Sequence, residues 1–62
     1  DLVKHKYSRG TKIFHDDYGY GIITSTLTTD DGEYTITVQF ESGGIKKFLP
    51  KYQQSSLLVI KD

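Results

Sequence analysis

The sequence predicts an all-β fold, a small five-stranded barrel, on three observations. First, Val, Ile and Thr supply 16 of the 62 residues and Tyr and Phe add eight, while Ala and Met are absent. β-Branched and aromatic side chains suit a pleated, half-buried surface and are only moderate helix formers. Second, six glycines break the chain at short intervals, several in Asp-Gly or Gly-Gly pairs, which are turn signals. Third, Tyr34, Ile36, Val38 and Phe40 alternate with Thr35, Thr37, Gln39 and Glu41, the period of a strand with one buried face. Short strands with turn signals between them indicate a sandwich or barrel, and a two-sheet sandwich needs about 100 residues.

The elements follow in order. Residues 1–9 are polar and basic without a clear period and read as a linker or arm, leaving residues 10–62 as the folded domain. Strand one covers Lys12–His15, with Ile13 inward. Asp16-Asp17-Tyr18-Gly19-Tyr20-Gly21 makes a turn in which Gly19 and Gly21 take positive φ or permit close backbone approach. Strand two runs from Tyr20 to Thr28, with Ile23, Ser25 and Leu27 on one face and Thr24, Thr26 and Thr28 on the other. Asp30-Asp31-Gly32 is a hairpin loop. Strand three is Tyr34–Glu41, and Ser42-Gly43-Gly44 turns into strand four, Ile45–Leu49. There Ile45 and Leu49 share one face and Phe48 lies on the other with Lys46, so a bulge near Lys47 is needed to bring both sets inward. Pro50 ends the strand because it has no N–H for an interior ladder. Lys51–Ser56 allows one helical or 3₁₀ turn, and Leu57–Ile60 is a final strand that closes an SH3-like barrel.

Length and composition exclude much. A chain of 62 residues is one small domain and buries only about 60% of the surface its unfolded form exposes, which disfavours deep pockets and large cofactors. No Cys is present, so disulfides, thiolate zinc sites and a Cys nucleophile are excluded. No apolar run reaches the roughly 18–20 residues of a membrane span. Eight basic and eight acidic residues give zero net charge, which argues against binding nucleic acid by bulk electrostatics. The zero conceals an order. Residues 1–12 carry +3, residues 13–41 carry six acids with no Lys or Arg, and residues 42–62 carry +3.

Candidate chemistry is sparse. His15 beside Asp16 and Asp17 has no further metal ligands in a known spacing and reads as a strand-end residue next to turn-capping carboxylates. Asp16/Asp17 and Asp30/Asp31 are adjacent pairs on turns, where sequence neighbours diverge into water. No nucleophile motif such as G-x-S-x-G occurs. Tyr18-Gly19-Tyr20-Gly21 lacks the spacing and the following helix of a phosphate loop. The aromatics say more. Tyr18 and Tyr20 sit at a turn and Phe14 alternates away from Ile13, so these rings are candidates for an exposed protein anchor or a methyl-ammonium cage. Alternatively, Tyr18 plugs one end of the barrel. Lys46 and Lys47 point to opposite faces. One is solvated, and the other lays its stem on the barrel and presents its ammonium, unless both serve as edge protection.

The string Gly10-x-x-Ile13-x-His15-x-x-Tyr18-Gly19-x-Gly21-x-Ile23, followed by Val38-x-Phe40 and Gly44-Ile45-Lys46-x-Phe48, resembles the C-terminal Tudor-like domain of UvrD/PcrA-type superfamily 1 ATP-dependent DNA helicases. The resemblance runs from Gly10 to about Ile60. It implies a Tudor-like barrel that serves as a non-catalytic protein-interaction module, flexibly tethered to a bacterial, cytoplasmic DNA repair motor. The implied partner is RNA polymerase or a DNA repair protein. The resemblance implies a monomer with no cofactor and no membrane contact, and none of the family's nucleotide-binding motifs lies in this chain. The contact residues it implies are Lys46 and Tyr18, with Tyr20, Ile45 and Lys47 beside them, on turns shaped by Gly19, Gly21 and Gly44. Asp17 and Tyr20 depart from the basic and acidic residues common at those family positions. The alternative is a nucleic-acid-binding barrel using Phe14, Tyr18, Lys46 and Lys47, which the acidic block from residue 13 to 41 opposes.

Overall fold

The chain crosses one antiparallel sheet five times. A computed structural model describes residues 2–60, with side chains from residue 4 onward; Asp1, Lys61 and Asp62, counted above in the basic terminal blocks, lie outside the described residues. A helical turn α1 (Leu2–Lys6) precedes β1 (Lys12–His15), β2 (Gly19–Thr28), β3 (Tyr34–Phe40), β4 (Ile45–Phe48), a 3₁₀ turn (Pro50–Tyr52) and β5 (Leu57–Ile60). The strand order is β4-β3-β2-β1-β5. The all-β class and the five strands stand as expected.

The barrel does not close. β4 and β5 are the two edges of the sheet and are not paired with each other. Each is four residues long and is matched in full to one inner neighbour, β3 or β1. Closure requires strands tilted and staggered so that the last can pair with the first, and neither edge has residues to spare. The segment between them carries the chain across the open side, where Pro50 is buried and its 3₁₀ turn packs on β3.

The core is one face of the sheet. Ile13, Ile23, Ile36, Val38, Phe40 and Leu57 are buried there, with Tyr34, Phe48 and Val59 packed against them. Burying each Ile or Val fully contributes roughly 1.5–3 kcal/mol. Tyr7 joins this core at 2% exposure, and its carbonyl accepts a 2.7 Å hydrogen bond from the Tyr34 hydroxyl. The expected arm over residues 1–9 is therefore corrected: its last turn belongs to the folded unit. A five-residue helix followed by one aromatic is too short for periodicity to reveal. Gly10 and Thr11 continue the attachment through backbone bonds with Ile23 of 2.7 and 2.9 Å.

Two register details decide which side chains face outward. In β2 the pairing with β3 slips between Ile23 and Ser25, and the extra residue, Thr24, reaches the Thr37 carbonyl with its hydroxyl. A bulge reverses face assignment downstream. Ile23 opposes Val38 inside, whereas Leu27 opposes Thr35 and is 63% exposed. The expected common face of Ile23, Ser25 and Leu27 is thus broken after Ile23. In β4 the expected bulge near Lys47 is absent. Phe48 opposes Ile36 and Lys46 opposes Val38, on the core face, while Lys47 and Ile45 oppose Thr37 and Gln39 on the outer face.

Candidate functional site

The β1–β2 hairpin and β4 converge at one end of the core face. His15 ends β1 two residues after Ile13 and so faces inward, where it is buried. Its Nδ1 accepts a 3.0 Å bond from the Asp17 backbone N–H. The ring proton therefore sits on Nε2, which donates to Gln53 Oε1 at 3.3 Å. The first bond sets the turn that carries Tyr18, and Gly19 completes that turn at φ +84°, a conformation that costs any residue with a Cβ.

Above this histidine the rings are stacked. Phe48 lies parallel to His15 at 5.0 Å between centroids, and Tyr18 packs tilted against both rings, 4.8 Å from His15 and 6.2 Å from Phe48. Phe40 meets Tyr18 at 5.4 Å and Phe48 edge-on at 6.0 Å. Lys46, two residues before Phe48 on the same face of β4, places its Nζ 5.1 Å from the centre of the Tyr18 ring. Such a cation–π contact is worth about 0.5–1 kcal/mol at an exposed site. Tyr18 remains 40% exposed, Lys46 is exposed, and among the described residues no carboxylate pairs with Lys46. The result is an ammonium held on an aromatic platform, with its donors available to a partner.

The predicted contact residues divide between two faces. Lys46 and Tyr18 come together. Tyr20, Ile45 and Lys47 lie on the outer face of the sheet, as does Phe14, which meets Tyr20 edge-on at 4.9 Å and opposes it in the ladder. Phe14, Tyr18, Lys46 and Lys47 therefore form no continuous strip for stacked bases. Nor do Phe14, Tyr18 and Tyr20 converge into a cage. Tyr18 does pack at the end of the core, yet it keeps an exposed edge.

The turn glycines differ in role. Gly19 carries positive φ, and Gly21 permits close approach of β3. Gly44 does neither: its surroundings are open, and the positive φ of that turn, +109°, belongs to Gly43. Gly44 enters that turn through its carbonyl, which accepts a 2.8 Å hydrogen bond from the Phe40 N–H. Sequence reasoning also left His15 at the strand end and did not connect Gln53 and Phe48 with Tyr18. Period-two spacing from Ile13 would have placed His15 inside; nothing local points to Gln53, which is 38 residues away.

Elsewhere, Asp16 and Asp17 are exposed on one hairpin and Asp30 and Asp31 on another, so the carboxylate pairs do not converge. Among the described residues no cluster of His, Asp and Glu is arranged to hold a metal ion, and no helix is long and apolar enough to cross a membrane. Comparison with protein-family models, with curated proteins and with solved structures finds no match.

Proposed function

We propose that this chain is a non-catalytic protein-interaction domain that belongs to a bacterial DNA repair helicase and docks its motor to RNA polymerase or a repair partner. The observation that carries the reading is the Lys46 ammonium held 5.1 Å over the exposed Tyr18 ring. A cation without a carboxylate partner among the described residues, already restrained by an aromatic platform, loses less side-chain freedom on binding than a solvated lysine does. The docking surface it offers suits an acidic patch on a partner. The adjacent edge of β4 adds a row of backbone groups that a partner strand can join. The parent protein and the polymerase rest on the family resemblance of Gly10–Ile23, Val38–Phe40 and Gly44–Phe48.

The test is capture of purified core RNA polymerase on the immobilised 62-residue chain. Wild type should retain the polymerase, and Lys46→Ala and Tyr18→Ala should each weaken capture about tenfold, the range of an interface anchor. Capture undiminished by Lys46→Ala removes that residue from the mechanism, and no capture by wild type removes the polymerase as partner.

A further inference from the structure

The outer face of the sheet, opposite Lys46 and Tyr18, carries a second feature. Cross-strand pairing sets Ile60, Lys12, Ile22 and Gln39 in one row across four strands, and Leu58, Phe14 and Tyr20 in the next. Between the rows runs a groove of about 330 Å³. Its floor is the backbone of Ile13, Gly21 and Phe40, whose side chains turn into the core or, at Gly21, do not exist. Tyr20 and Ile22 are 55% and 38% exposed, so the apolar walls are open to solvent. Among the described residues none of α1 or of the 3₁₀ turn lines the groove.

Charge selects the occupant. Among the described residues two charged side chains line the groove, Lys12 and Glu41. Glu41 stands on its rim, exposed and without an ion pair among the described residues. Lys12, the one cation on the wall among the described residues, is engaged within the chain. A second copy seated groove to groove would offer Glu41 an engaged Lys12 and a second Glu41, and nucleic acid would bring phosphates to it. A basic, apolar segment of another protein meets neither obstacle.

We propose that this groove is a second docking site, for a protein segment that inserts an aliphatic or aromatic side chain between Tyr20 and Ile22 and sets a neighbouring Lys or Arg against Glu41. The site is independent of the Lys46–Tyr18 surface and has the opposite charge preference. A domain with both holds two partners, or two segments of one partner, on opposite faces.

The experiment is selection from a random peptide library on the immobilised 62-residue chain, followed by amide chemical-shift mapping with a synthetic winning peptide. Enriched peptides should pair an apolar residue with Lys or Arg within two positions, and shifts should centre on Tyr20, Gly21, Ile22 and Glu41. Ile22→Glu should weaken binding about tenfold or more. Glu41→Gln, which alters only an exposed side chain, should weaken it about two- to fivefold, the range of an exposed ion pair. Lys46→Ala should leave it unchanged, which separates this site from the polymerase-docking reading. Acidic winners, shifts centred on Tyr18 and Lys46, self-association abolished by Ile22→Glu, or no enrichment above an unrelated immobilised protein would each overturn the proposal.

Discussion

Replacing Gly21 by alanine would place a Cβ 2.7 Å from Val38 Cγ1, 2.8 Å from Phe40 Cδ1 and 2.9 Å from the carbonyl oxygen of Gln39. Carbon atoms in contact prefer about 3.5–4.0 Å, so all three neighbours are too close. Val38 and Phe40 are buried at 0% and 2% exposure and have no open space to retreat into. The Gln39 carbonyl is part of β3, whose backbone is held between β2 and β4. Overpacking of this kind costs typically 1–3 kcal/mol. Alanine also lowers the entropy of the unfolded chain, which returns about 0.4–1 kcal/mol where the conformation is compatible. A net loss of about 1–2 kcal/mol is expected for Gly21→Ala. At about 0.05–0.15 kcal/mol per residue, a 62-residue chain has roughly 3–9 kcal/mol to lose from. The melting temperature should fall by about 4–8 °C for each kcal/mol. Gly44→Ala is the control: its Cβ meets nothing within 4 Å and its φ is not in the left-handed region, so it should be neutral or slightly stabilising. Urea titration followed by circular dichroism measures both. A Gly21→Ala domain within about 0.5 kcal/mol of wild type, the scatter of harmless surface changes, would refute the close approach of β2 and β3.

Two further outcomes follow from the same structure. Tyr7→Ala should cost about 3–5 kcal/mol, as for other large aromatic-to-alanine changes in a core, and a chain starting at Gly10 should be similarly weakened; a denaturation midpoint unmoved by either change would return residues 1–9 to the status of a tether. Asp31 is held below the ordinary carboxylate range chiefly by the hydrogen bond from the Thr29 hydroxyl, with its own backbone N–H adding to the effect. A depressed folded-state value contributes stability above the unfolded-state pKa, near 3.8, and that stability is lost as pH falls through the folded-state value. Thr29→Val should raise the Asp31 midpoint toward its ordinary value in a carboxyl NMR titration, and an unmoved midpoint would remove Thr29 as the cause.

Much of the sheet is legible locally. The alternation from Tyr34 to Phe40, the glycine at residue 32 with φ +88° in an Asp-Gly turn, and the stop at Pro50 each express a residue's own geometry. Errors begin where one residue's environment depends on a distant strand. The outward turn of Leu27 follows from a bulge against β3, and the burial of Tyr7 follows from Tyr34, 27 positions later in the chain. The candidate site divides in the same way. Lys46 and Tyr18 stand out as residue types at marked positions. Their union depends on His15, which holds the turn, and on the unbulged β4, which puts Lys46 on the face of Phe48 rather than of Ile45.

By itself, then, the sequence determined an all-β chain of five short strands, with an acidic middle between basic ends and a lysine beside a glycine turn. These properties depend on φ preferences, period-two alternation and charge along the chain, which operate over a few residues. Only the tertiary structure decided that the sheet stays open, that Gly21 rather than Gly44 is sterically required, and that the predicted contact residues part onto two faces. Each of those outcomes rests on register between strands. A shift of one residue in register moves a whole set of side chains to the other face, and no local preference contains that information.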